Sequence, residues 1–116
     1  MRPQSAKAKG RNLQKWTRDL ILKLWTSLSA NDVRSTSMGA SGIDILMSEA
    51  ALKMVPVSIE CKSRAAIAVY AWMDQAKENC LPNTEPVVIL KQNHGKPLAL
   101  CDAEWLFKIL SNQKGQ

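Results

Sequence analysis

Two short stretches, Gly42-Ile43-Asp44-Ile45-Leu46 and Val57-Ser58-Ile59-Glu60-Cys61-Lys62, restrict this chain more than any other part of it. Both are rich in β-branched and apolar residues and are bounded by small or turn-forming ones, the pattern of short strands. Side chains alternate along a strand, so Glu60 and Lys62 share one face while Ile59 and Cys61 take the other. Asp44 interrupts an otherwise apolar run. If the two strands pair as a hairpin, one sheet face gathers two carboxylates and an ammonium. Burying such a group is costly unless a cation or substrate completes it, so the pattern predicts a site.

The chain has 116 residues and is 46% hydrophobic, enough for one globular domain with a core and too short for two. No apolar run approaches the roughly 20 residues of a membrane span, and no apolar stretch follows the charged residues 1–7, so a secretory leader is not expected. Cys61, Cys80 and Cys101 show no paired spacing. Reduced thiols and a cytoplasmic protein are the expectation, without a disulfide framework or zinc site.

The net charge of +6 is concentrated. Residues 1–23 hold Arg2, Lys7, Lys9, Arg11, Lys15, Arg18 and Lys23 against Asp19 alone, and the remainder is balanced. A localised basic patch draws nucleic acid by counterion release. A solubilising tail, or a patch for an acidic protein or membrane surface, fits the charge equally well.

In order, residues 1–10 read as a basic flexible arm, residues 11–110 as a single domain and residues 111–116 as a polar tail. Asn12 is a good N-cap for a helix to about Leu28, with Leu13, Trp16, Leu20, Ile21, Leu24 and Leu28 as its apolar stripe. Gln14 lies at the stripe's edge. Val33 to Ser37 is a short polar strand, and Met38 to Gly42 a connection in which two glycines permit a phosphate's approach. After the Asp44 strand, residues 48–54 form a loop or one helical turn. Ser63 is placed to cap a helix from about Ala65 to Asn79, with Val69, Trp72, Met73, Ala76 and Cys80 as its buried stripe and Gln75 flanking it. Pro86 to Lys91 is a continuous apolar run, as in a buried central strand. Leu98 to Leu100 is its partner, and Asp102 caps a last helix from Ala103 to Leu110. The order α-β-β-β-α-β-β-α predicts an α/β (α+β) fold, a mixed central sheet flanked by helices.

Asp44 and Glu60 on adjacent strands suit Mg²⁺ or Mn²⁺, which prefer oxygen ligands, and the backbone carbonyl of Cys61 is a natural third ligand. Such a metal polarises a phosphoryl oxygen and acidifies a bound water. Lys62 is placed to orient that water or stabilise charge on the phosphorane. By spacing alone, a surface Glu-Lys pair and a strand-end Asp fit as well. His94 reads as a turn residue, and Trp16, Trp25, Trp72 and Trp105 as core or dimer packing.

Gly42-Ile43-Asp44, then Glu60-Cys61-Lys62, then a helix with Gln75, resembles the PD-(D/E)XK nuclease superfamily, most of all small phage and archaeal Holliday-junction resolvases. The resemblance runs from Lys9-Gly10 to the strand near Val88. It implies a restriction-endonuclease-like core and a metal-dependent, structure-selective deoxyribonuclease. Asp44 and Glu60 would be metal ligands, Lys62 the catalytic lysine, and Gln75 an orienting group for substrate or water. Arg34, Ser35, Ser37 and Ser41 would contact the scissile phosphate. Lys7, Lys9, Arg11, Lys15 and Arg18 would grip the backbone of branched DNA, with a homodimer presenting two sites. Ile43 stands where the family has proline. Gln14 stands where such resolvases carry a helix glutamate, which predicts weaker or more Mn²⁺-tolerant metal binding through an amide oxygen. A nuclease-fold DNA-binding module with little cleavage, or a flap, nicking or restriction-type nuclease, are the competing readings. Neither a membrane nor a small-molecule cofactor is expected.

Overall fold

The computed structural model describes residues 5–36 and 42–113. The first helix, α1, spans Ala6–Leu24, with Ser5 as N-cap accepting a hydrogen bond from the Ala8 amide at 3.1 Å. It therefore starts six residues before the expected Asn12 cap, and Lys7 and Lys9 ride on the helix instead of a flexible arm. Serine caps a helix as well as asparagine does, and the Ala6-Lys7-Ala8-Lys9 run is made of strong helix formers that outweigh Gly10. The helix also stops short of Leu28, where the Trp25 amide donates back to the Ile21 carbonyl.

Its buried face is Gly10, Leu13, Gln14, Thr17 and Ile21, rotated from the expected stripe. Trp16, Leu20 and Leu24 stay exposed, Trp16 at 43% and Leu24 at 61%. Thr17 tolerates burial because its hydroxyl donates to the Leu13 carbonyl at 2.9 Å, which removes the penalty for an unpaired polar group.

Strand β1 (Val33–Ser35) pairs antiparallel with β2 (Ile45–Met47). A helix α2 of six residues (Glu49–Met54) follows, capped by Ser48. Strands β3 (Val57–Ser63) and β4 (Glu85–Lys91) run parallel, with Ile59 opposite Val87 and Glu60 opposite Val88. A parallel pair needs a crossover, and helix α3 (Val69–Glu78) supplies it. Strand β5 (Leu98–Leu100) closes an antiparallel pair on β4, leaving β4 central as its apolar run predicts. Helix α4 (Ala103–Ser111) is capped by Asp102, which accepts from the Trp105 amide at 2.9 Å. The architecture is mixed α+β, a three-stranded mixed sheet and a β1–β2 pair with flanking helices.

Two further local expectations fail. The Asp44 stretch and β3 form no hairpin ladder; a backbone bond from the Asp44 amide to the Ile59 carbonyl, 3.0 Å, joins them instead. Ser63 caps no helix, because the ladder with Lys91 holds it in β3, and α3 begins at Val69 without a side-chain cap.

The sheet separates two apolar clusters. Val57, Ile59, Cys61 and Val87 pack with Leu13, Ile21 and Leu28 on the α1 side. Val88 packs with Trp72 and Ala76 on the α3 side. Alternation along β3 therefore sends Glu60 and Lys62 toward α3 and Cys61 toward α1. Among the described residues no helix is long and apolar enough to cross a membrane.

Candidate active site

Asp44 lies just before β2, two residues after Gly42, whose φ of +99° suits glycine alone. Three bonds hold it. Its amide donates to Ile59, its carbonyl accepts from the Thr36 amide at 3.0 Å, and its Oδ2 accepts from the Cys61 amide at 2.7 Å. The carboxylate is thus fixed against the edge of β3 that β4 does not use. The N–H and C=O of one strand residue point to the same edge, so the Cys61 carbonyl faces the Asp44 side too. The opposite edge belongs to the ladder, which continues as the Arg64 amide donates to Lys91.

Glu60 is 2% exposed. Burial pushes its carboxyl above the ordinary carboxylate range, and the Asp44 carboxylate adds to the rise through repulsion and a shared hydrogen bond. Asn79 and Lys62 oppose it. The Asn79 side-chain amide donates to Glu60 Oε1 at 2.8 Å, and the half-buried Lys62 lies two residues along the same strand face. Two carboxylates that repel each other in a partly dry site are the arrangement a divalent cation relieves.

Cys61 contributes through its backbone. Its thiol is buried, meets the Thr17 hydroxyl at 3.7 Å, and is pushed up to about 12, mainly by desolvation. Such a thiol is inert.

Helix α3 runs antiparallel to β3, since Asn79 meets Glu60 and the Leu81 amide donates to Ser58 Oγ at 3.0 Å. One helical turn back from Asn79 is Gln75, and two strand residues on from Glu60 is Lys62. These steps are about 6.0 and 6.6 Å, so the exposed Gln75 is level with Lys62. Asn79 itself escapes a reading of the sequence, although its i+4 spacing from Gln75 marks a polar edge beside the Trp72 and Ala76 stripe.

Gln14 is 5% exposed, and its Oε1 has no hydrogen-bond partner among the described residues. It lies one turn before Thr17 on the face of α1 that meets β1 and β3. A buried carbonyl oxygen without a donor calls for an ion or water. The donors gathered at the β3 edge are two carboxylates and an edge carbonyl, hard oxygen ligands that fit Mg²⁺ or Mn²⁺; the Gln14 amide oxygen is a further buried oxygen on the α1 side. Among the described residues no group of three or more His, Cys, Asp or Glu side chains that could hold a metal ion forms.

Lys7, Arg11, Lys15 and Arg18 follow one stripe of α1 beside Gln14. Arg18 is tied to Asp19 at 2.9 Å. Lys9 leaves this stripe, and its ammonium donates to Asn93 Oδ1 at 2.9 Å. Arg34 projects outward between Val33 and the half-buried Ser35. Ser37 and Ser41 lie outside the described residues. Comparison with known protein families, characterised proteins and solved structures gave no match.

Proposed function

We propose that the protein is a Mg²⁺- or Mn²⁺-dependent DNA endonuclease of the PD-(D/E)XK type, acting on branched DNA as a Holliday-junction resolvase. The observation that carries this reading is the pairing of Asp44 with the buried Glu60 at the free edge of β3, with Lys62 next on the same face. Asp44, Glu60, the Cys61 carbonyl and Gln14 Oε1 would hold the cation, which supplies Lewis acidity toward a phosphoryl oxygen and acidifies water. Lys62 directs its ammonium at the attacking water or at charge growing on phosphorus. Gln75, level with Lys62, orients the same groups. The α1 stripe of Lys7, Arg11, Lys15 and Arg18 pairs with backbone phosphates and positions the strand without reading its sequence.

The neutral Gln14 favours a second reading, a DNA-binding module of the same fold that binds the cation weakly and cuts little. One assay separates the two: labelled four-way junction, flap, duplex and single-stranded DNA incubated with Mg²⁺ or Mn²⁺. Junction cleavage that Glu60→Gln abolishes while binding persists supports the enzyme. Binding without cleavage by the wild type supports the module, and cleavage by Glu60→Gln removes the proposed site.

A further inference from the structure

On the face of the sheet opposite Glu60 and Lys62, a groove of about 740 Å³ opens between the start of α1 and the β4–β5 turn. It lies at the C-terminal ends of the parallel strands, with Ser63 of β3 and Lys91 of β4 in its wall. Ligands favour this end of an open α/β sheet, and the volume suits a small organic group.

The chemistry of the wall is selective. Lys9 and Lys91 both line it, and none of the described lining residues is acidic. Trp16 lines it too, with a partly exposed indole, while Leu13 and Pro97 supply further apolar surface. The groove is also anchored. Lys9 bonds to Asn93 across 84 residues of sequence, and the Gly95 amide closes the turn on the Gln92 carbonyl at 2.8 Å. His94, at a φ of 62°, is held in the left-handed region within that turn and lines the groove. Histidine is among the residues that adopt this conformation in turns, and the turn here sets His94 in the groove wall.

We propose that this groove binds one nucleotide of an unpaired DNA strand, with the base stacked on Trp16 and its phosphate between Lys9 and Lys91. An aromatic platform beside a cationic wall is how proteins hold single strands without reading sequence. A base in duplex is stacked on its neighbours and does not offer its face, so the groove selects unpaired nucleotides, which flaps and single strands provide and a fully paired four-way junction does not. The groove is distinct from the carboxylate pair, and this proposal stands whether or not the chain cuts DNA.

The test uses the full chain in EDTA and a labelled oligothymidylate of about eight nucleotides, beside an abasic strand of equal length. Binding is followed by fluorescence anisotropy. Trp16→Ala is expected to weaken the oligothymidylate about tenfold and leave the abasic strand unchanged, while Trp16→Phe keeps most of the affinity. Lys91→Gln weakens both strands alike. Stacking also quenches a tryptophan signal that the wild type has and Trp16→Phe lacks. The proposal is overturned if the wild type binds the abasic strand as tightly as the oligothymidylate, if it binds neither, or if Trp16→Phe loses as much affinity as Trp16→Ala. Should Trp16→Ala lose its fold, the quenching difference and Lys91→Gln decide the matter. An acidic peptide that binds the groove in place of the strands counts against it.

Discussion

Asn79 shows how one side chain outside the proposed ligand set tunes it. Its amide occupies Glu60 Oε1 and opposes the rise that burial and Asp44 impose on that carboxyl. Removing it raises the Glu60 carboxyl further, so proton and cation compete over a higher pH range. Asn79→Ala should weaken Mn²⁺ binding by about 10- to 100-fold, with the loss greatest at mildly acid pH, as calorimetric titration over a pH series would show. An unchanged affinity would detach Asn79 from the site. Gln14→Glu makes the opposite change, adding a third carboxylate where an oxygen lacks a partner; Mg²⁺ affinity should rise, and a fall or no change would move Gln14 out of the ligand set. Glu60 also has a sign in stability. Its folded carboxyl holds its proton more tightly than the unfolded one, so without metal the fold loses stability as pH rises from the ordinary carboxylate range through the raised folded value. Glu60→Gln should therefore melt above the wild type at neutral pH in EDTA, and the two should converge at pH about 4 or below. Equal melting temperatures at neutral pH would contradict the buried-charge account. Glu60 and Lys62 were legible in the sequence as sharing a face because strand alternation alone decides that, whereas Asp44 reaches them through its own bonds to Ile59 and Cys61 and not through the expected hairpin. Asn79 was hidden because its role depends on the antiparallel packing of α3 on β3, a tertiary fact.

At the scale of elements, β3, β4, β5 and α4 follow local patterns closely, while β2 begins three residues beyond the expected Gly42 and the starts of α1 and α3 are displaced. Ser5 and Asn12 are both competent caps, and Ser63 is as good a cap chemically as Ser48. What separates them is whether the residue is already committed elsewhere, as Ser63 is to the β3–β4 ladder. The rotation of α1 has a similar origin. Its apolar residues cover more of the helix than one sheet can bury, so tertiary contact chooses Leu13 and Ile21 and leaves Trp16, Leu20 and Leu24 outside. That choice opens the groove beside Trp16. Asp32 illustrates a connection carried by one residue: it accepts from the Ser29 amide at 2.8 Å and from Ser48 Oγ at 2.7 Å, tying the α1–β1 turn to the cap of α2. These bonds, the Ser29 amide foremost, hold its carboxyl below the usual range. The stability they contribute is present above the ordinary carboxylate range and is lost as pH falls through the lowered folded value. Asp32→Asn should lower the melting temperature at neutral pH, with the gap closing in strong acid. A gap that stays constant with pH would show that shape, not charge, matters there.

At the scale of the whole molecule, one helix is short of a partner among the described residues. Helix α4 has no buried residue, and only its Trp105 side packs against the core. Leu106, Phe107 and Leu110 remain exposed, Phe107 at 68%. At 100° per residue the apolar positions of α4 cover more than half its circumference, and Glu104, Lys108 and Ser111 crowd into the rest. A helix resting on one sheet needs a narrower stripe, so this pattern asks for two contacts, one of which the domain supplies. In the proposed enzyme a second copy of the chain would supply the other. Across a two-fold axis, antiparallel α4 helices would bring Leu106, Phe107 and Leu110 together and set Glu104 of each chain near Lys108 of the other. The same symmetry gives two β3 edges for two strands of a junction. Phe107→Glu places two like charges near the axis and should convert a dimer to a monomer in sedimentation equilibrium. The Asp44 and Glu60 pair lies on other elements, so Mn²⁺ affinity per chain should be unchanged. Paired incisions in a four-way junction should then become single nicks. A wild type that sediments as a monomer on and off DNA would end the dimer reading, and paired incision by monomeric Phe107→Glu would separate cleavage geometry from assembly.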